Sequence, residues 1–155
     1  MATMYVNCGN GEYLNCRETA SMQASIKYYL PHGEKVTTSS VSGDWTKITP
    51  ADYSSKGTAW VKTIFLNSTK PATYHNTKLS ALGDKTLQLG RFGRYVYNLQ
   101  IGLGITADGD FGSGTENAVR TFQGNNGLVI DGYAGDNTKE KLWQQKSGII
   151  TSNGK

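Results

Sequence analysis

This chain is poor in the residues that carry most enzyme chemistry. Its 155 residues include only two histidines and two cysteines. Catalysis needs a reacting group, a base and an orienting partner brought together. His32 lies in a Pro-His-Gly turn and His75 in a polar stretch. A Cys16–histidine pair is the one nucleophile–base arrangement available, but Cys16 occupies an apolar strand position, where cysteine acts as a small hydrophobe. No catalytic residue is therefore expected. The same four side chains are not spaced as close zinc-ligand pairs, so neither a metal nor a cofactor is expected. No apolar run approaches the ~18 residues that would span a bilayer, and the opening MATMYVNCGNG lacks the basic start and apolar stretch of a signal peptide. Charge is also thin. Sixteen basic and twelve acidic side chains leave +4, with no basic stripe of the kind nucleic-acid binders show. The mild excess favours approach to polyanionic surfaces. Neither nucleic acid nor membrane is expected as a partner.

Glycine, by contrast, is abundant, with 19 copies, and hydrophobic residues make up 37%. That combination predicts small cores and many turns, in one ordinary domain or two small ones. Residues 4–66 read as short strands: Tyr5–Cys8, Tyr13–Arg17, Ile26–Leu30, Lys35–Val41, Trp45–Ile48, Thr58–Val61 and Ile64–Leu66. They are β-branched or alternating, with turn residues between them. Cys8 and Cys16 flank a Gly-Asn-Gly turn. A disulfide between them is compatible with this pattern but not required by it. Residues 67–86 have the polar, Pro- and Ser/Thr/Asn-containing composition of a linker.

From residue 87 the period becomes helical. Tyr95, Val96, Leu99 and Leu103 share one face. A unit is then written twice, 23 residues apart: Asp108-Gly109, Gly112, Thr115 and Val119 recur as Asp131-Gly132, Gly135, Thr138 and Leu142. Ser113 or Thr115, and Asp136 or Asn137, are expected to cap the two helices that follow, and residues from 148 on read as a tail. Asp108-x-Asp110-x-Gly112 invites comparison with a calcium loop. The twelfth position, however, is Val119 rather than a carboxylate, so the aspartates are expected to make turns.

Two resemblances follow from these residues. LNCRETAS, HGEKVTTSS, SGDWTKI and GTAWVKTIFL are similar to the bacterial SH3 domain family. LQLGRFGRYVYNLQIGLG, DGDFGSGTENAVRTFQGNNGL and DGYAGDNTKEKLW resemble the three-helix peptidoglycan-binding domain. Together they imply an all-β SH3-like barrel over 4–66, a linker over 67–86, an all-α three-helix domain over 87–147 and a tail over 148–155. They further imply a non-catalytic wall-binding region of a bacterial or phage hydrolase such as an endolysin or autolysin. Such a region works outside the cell or at the wall. Its partners are peptidoglycan, through stem or cross-bridge peptide or glycan, and a catalytic domain outside this chain. The alternative is a secreted protein-interaction scaffold with no wall ligand, because both folds are reused for many roles.

Among side chains, Tyr13, Tyr28 and Tyr53 offer flat apolar area with a polar tip. In bacterial SH3 relatives the groove lies beside the loop after the LN-R strand, which adds Asn15, Arg17 and Glu18. Arg120 and Gln123 on the second helix complete the expected ligand contacts. Trp45, Trp60, Phe111 and Phe122 are expected in the cores.

Overall fold

The computed structural model describes all residues 1–155, which divide into two compact units, Met1–Thr73 and Tyr74–Lys155.

The first unit is one antiparallel sheet of seven strands: β1 (Thr3–Val6), β2 (Tyr13–Arg17), β3 (Ile26–Pro31), β4 (Lys35–Ser42), β5 (Trp45–Pro50), β6 (Ala59–Lys62) and β7 (Leu66–Asn67). Their order across the sheet is β3-β2-β6-β5-β4-β1-β7. The sheet does not form the closed barrel that the sequence suggests. β3 and β7 are the two edges and no ladder joins them, so the sheet stays open. Its thinnest seam is β2–β6, registered through the single pair Arg17–Trp60. Alternation sends Leu14 and Cys16 of β2 inward, where they meet Val6, Leu30, Val36, Ile48 and Val61 in the core. The ladder slips between Cys16 and Arg17, bending the strand where Arg17 leaves for its partner on β6. No disulfide joins Cys8 and Cys16. Burial pushes the Cys16 thiol up, far from nucleophilic thiolate.

The second unit holds four helices rather than the expected three: α1 (Lys78–Leu82), α2 (Arg94–Leu103), α3 (Ser113–Asn125) and α4 (Asp136–Asn153). The extra one, α1, falls in the segment whose composition suggests a linker. Five residues make too short a helix to persist alone, so its ends need outside support. Thr77 and Ser80 form a reciprocal capping box at its start. Three buried side chains take carbonyls at its end. Arg94 Nη1 donates to Ser80 O at 3.0 Å, Asn98 Nδ2 to Ala81 O at 2.8 Å and Lys139 Nζ to Gly83 O at 3.0 Å. Lys139 Nζ also donates to the Lys85 carbonyl. Desolvation lowers the Lys139 pKa to about 8, partly opposed by Asp136 and Asp84.

α2 crosses α4 closely at Gly102. A Cβ there would sit 2.9 Å from both Ile150 Cδ1 and Leu142 Cδ2, so the close approach of the two helices requires glycine. α4 runs through Gly148 to Asn153, where the sequence suggests a tail. Neither α3 nor α4 has a side-chain cap; Gly112 and Gly135 occupy those positions. No helix is long and apolar enough to cross a membrane.

Candidate functional site

The doubled unit of the sequence is doubled bond for bond in the structure, and its centre is a buried glutamine. Gln100 Oε1 accepts from the amides of Asp108 (3.1 Å) and Gly109 (2.8 Å). Its Nε2 donates to Asp108 Oδ1 (2.9 Å), Asp110 O (3.1 Å) and Thr115 Oγ1 (3.0 Å). Gln123 repeats every contact 23 residues on. Oε1 accepts from Asp131 N (3.1 Å) and Gly132 N (3.0 Å). Nε2 donates to Asp131 Oδ1 (2.8 Å), Tyr133 O (2.9 Å) and Thr138 Oγ1 (3.0 Å). Each aspartate also accepts the amide two residues on, Asp110 N or Tyr133 N, at 2.9 Å. That turn amide, followed by the glutamine, holds each carboxyl below its ordinary value. The two glutamines are 1% exposed. The aspartates expected to make turns therefore do so, with a glutamine locking each turn to the helix that follows.

Gln123, expected at a ligand surface, is buried with its amide bonded inside the domain, and it is among the residues lining a concavity of about 360 Å³. Thr86, Val129, Asp131, Tyr133, Asp136 and Asn137 also line that concavity. Arg120 is exposed on α3, with Nε 3.8 Å from Glu116, and lines none of the concavities described here. A shallower depression of about 590 Å³ lies where the end of α2, α3 and α4 meet; Phe122, Asn125, Gln145 and Lys146 are among its lining. Phe111 is fully buried, as expected.

In the first unit, a groove of about 200 Å³ runs along β2. Three of the expected residues, Tyr13, Asn15 and Arg17, line it. Strand alternation sets these three side chains on one face while Leu14 and Cys16 are buried, Leu14 still bordering the groove. Tyr13 packs edge-on against Tyr29 at 6.1 Å between centroids, and Arg17 is held by a 2.8 Å bond from Nη1 to Ala24 O. Sequence reasoning missed Glu12, Met22, Lys62 and Phe65, which share the groove. Trp45 was expected only in the core. It is 6% exposed yet forms a groove wall, with Lys62 Nζ 4.7 Å above its ring. Glu18, Tyr28 and Tyr53 lie outside the groove. Glu18 is exposed in the following loop. Tyr28 is buried with its hydroxyl on Gly57 O at 2.8 Å, and burial raises its pKa. Tyr53 precedes the short 3-10 turn at 54–56.

His32 has a plain structural role. Nδ1 accepts from the amides of Cys8 (3.1 Å) and Gly9 (3.0 Å), and Nε2 faces Ala72 O at 3.1 Å. With Nδ1 accepting twice, the proton belongs on Nε2, and both ring nitrogens are engaged by backbone.

Residues 78–142 match the family model of the peptidoglycan binding domain. The spore cortex-lytic enzyme of Oceanobacillus iheyensis is 44% identical over 75 residues, 44% of this chain and 27% of that enzyme. The chain thus spans about a quarter of the length of this relative. The SleB N-terminal domain is similar at 38% identity over 43% of this chain and 99% of its own, with a TM-score of 0.42. A fused zinc-dependent amidase/peptidase/peptidoglycan-binding protein of Clostridium acetobutylicum is similar at 37% identity over 44% of this chain and 33% of its own, with a TM-score of 0.39. Both TM-scores are below 0.5, so the sequence match carries the assignment. Through residues 78–142, the second unit carries a domain of the peptidoglycan-binding family.

Proposed function

We propose that this chain is the non-catalytic wall-binding region of a peptidoglycan hydrolase, an endolysin or autolysin, acting outside the cell or at the wall. The observation that carries the reading is the family match over 78–142. The catalytic domain is proposed to lie outside these 155 residues, consistent with the small share of the cortex-lytic relative that they cover. Two features of the chain agree with a binding role. His32 has both nitrogens committed to backbone, and the Cys16 thiol is buried and held protonated.

The first unit is proposed to be a second wall contact, related to bacterial SH3 domains by its sequence pattern. Its groove combines Tyr13, Trp45 and Phe65 with Asn15 and with charges of both signs, Glu12, Arg17 and Lys62. Flat apolar walls with fixed amide and charged groups suit a short peptide of the wall, stem or cross-bridge. Tyr13, Asn15 and Arg17 are the proposed contacts. Two weak sites on one chain raise the effective concentration of each at a repetitive polymer, so avidity exceeds either affinity.

The test is co-sedimentation of the labelled chain with purified peptidoglycan of several cross-bridge types. Pelleting is expected with at least one type, and Arg17→Ala is expected to weaken it. A chain that stays in the supernatant with every wall overturns the reading.

A further inference from the structure

The internal repeat supplies a control for what folding requires. Each copy needs its glutamine, Asp-Gly turn and threonine, and both have them in the same bonds. The solvent-facing positions of the turn differ. Thr106, Ala107 and Asp110 of the first copy correspond, 23 residues on, to Val129, Ile130 and Tyr133 of the second. Val129 is 79% exposed, Ile130 57% and Tyr133 50%.

Ile130 has a packing reason. Ile101 beside the first glutamine corresponds to Gly124 beside the second. A Cβ at Gly124 would lie 3.3 Å from Ile130 Cδ1, so the isoleucine covers the space that glycine leaves. The pair Ile101/Ala107 has become Gly124/Ile130. Val129 and Tyr133 stand against no such glycine. The first copy builds the same turn with a threonine and an aspartate in their places, so their apolar surface is surplus to folding.

Both surplus side chains line the 360 Å³ concavity. The backbone beneath Tyr133 is clamped on both sides: its N–H donates to Asp131 Oδ1 and its C=O accepts from Gln123 Nε2. The ring is thus presented on a fixed base, which lowers the ordering cost of binding. Around it stand the hydroxyl of Thr86, the amide of Asn137 and two carboxylates, Asp131 and Asp136. No lysine, arginine or histidine lines the concavity.

We infer that this concavity is a contact of the second unit with peptidoglycan, and that its occupant is the neutral N-acetylated glycan rather than the anionic stem peptide. The inference rests on the wall-binding reading above. A half-exposed tyrosine offers a flat face to the apolar side of a sugar ring. Hydroxyl, amide and carboxylate groups suit the hydroxyls and acetamide of a hexosamine. The lining carries two carboxylates and no cation of its own; Arg120 stands near Asp131 and Lys139 near Asp136, but neither lines the concavity, so the carboxylate-bearing stem peptide finds no direct ion-pair partner within it.

The experiment is an NMR titration of the full chain with tetra-N-acetylchitotetraose and, separately, with an acidic stem tetrapeptide. It is run beside the pelleting assay. The glycan is expected to shift the amides of Val129, Tyr133 and Asn137, and the tetrapeptide to leave them in place. Val129→Thr/Tyr133→Asp, which writes the first copy's residues into the second, is expected to keep the melting temperature. It should weaken glycan binding by about tenfold or more. Glycan shifts that appear only elsewhere, or that are absent while the chain still pellets, overturn this inference and leave the wall-binding reading intact. So does a tetrapeptide that shifts the three amides in place of the glycan. The titration of the unmodified chain decides even if the double variant misfolds. A chain that neither pellets nor shifts takes both down.

Discussion

Replacing Gln123 by leucine keeps the approximate volume of the side chain and deletes all of its polar bonds. Three donations end, to Asp131 Oδ1, Tyr133 O and Thr138 Oγ1, and two amides, Asp131 N and Gly132 N, lose their acceptor. Not every loss costs the same. Asp131 is exposed, and water can replace its bonds, whereas Gly132 and Thr138 are buried. Each stranded buried group costs about 1–3 kcal/mol, so about 2–6 kcal/mol is expected from these two alone. A domain of this size has about 5–15 kcal/mol in total. Gln123→Leu should therefore unfold the helical unit at markedly lower urea, followed by far-UV circular dichroism, which helices dominate. Gln100→Leu should cost the same to within about 1 kcal/mol, because its bonds match those of Gln123 one for one.

Gln123→Glu separates shape from donors. One oxygen still accepts from Asp131 N and Gly132 N, but the other now faces Asp131 Oδ1, the Tyr133 carbonyl and the Thr138 hydroxyl. Only the hydroxyl can turn to donate. At neutral pH two carboxylates oppose each other, so the variant should be nearly as unstable as leucine. As pH falls into the glutamate range, the new carboxyl protonates, regains a donor and recovers part of the loss. A leucine variant within about 1 kcal/mol of the parent, or a glutamate variant with no acid recovery, refutes the claim that the glutamines hold the turns through donated bonds.

Lys139 gives a pH signature of opposite direction. Its pKa is about 8 in the fold against an ordinary 10.5. Between those values the unfolded chain binds a proton that the folded chain does not, so stability rises with pH across that window. The limit is about 3 kcal/mol. Urea midpoints of the parent and Lys139→Met, compared from pH 7.5 to 10, should diverge as the parent climbs; parallel profiles would count against the buried lysine. Asp108 and Asp131 are held below their ordinary value. Their contribution is present above pH 3.8 and lost as pH falls through the folded pKa, and Asp108→Asn, which keeps the acceptor but not the charge, should flatten part of that acid limb. His32→Ala strands the amides of Cys8 and Gly9 and is expected to cost the first unit about 2–4 kcal/mol. Tryptophan fluorescence reads it, since Trp45 and Trp60 report on that unit, and a change under about 1 kcal/mol would mean that water replaces the ring.

What could be read from sequence was what depends on neighbours along the chain. Alternation at Tyr13–Arg17 placed Leu14 and Cys16 inside and left Tyr13, Asn15 and Arg17 on a common face. The Asp-Gly pairs announced turns and the helices after them. The open sheet was not legible, because closure depends on whether β3 meets β7, two strands far apart in sequence, and no local pattern encodes that pairing. Nor was α1. Its threonine, serine and asparagine neighbours read as linker, while the groups that stabilise it, Arg94, Asn98 and Lys139, sit 14 or more residues away. A polar residue type does not say whether it is buried, and so Gln123 read as a surface contact.

The repeat itself contains the information that places Gln123. Gln100 and Gln123 stand at the same offset as Asp108 and Asp131, and as Thr115 and Thr138. Residues kept in both copies of an internal repeat are those that the shared fold needs. Residues that differ between copies, without a compensating neighbour, are free of that demand. By this criterion Gln123 belongs to the scaffold and Tyr133 to the surface, an assignment opposite to the one suggested by side-chain chemistry alone. It also separates Ile130, whose change is matched at Gly124, from Val129, which stands against no such glycine and is 79% exposed. Within the turn itself, the two uncompensated differences, Val129 and Tyr133, both line one concavity, beside the glutamine that holds the turn in place.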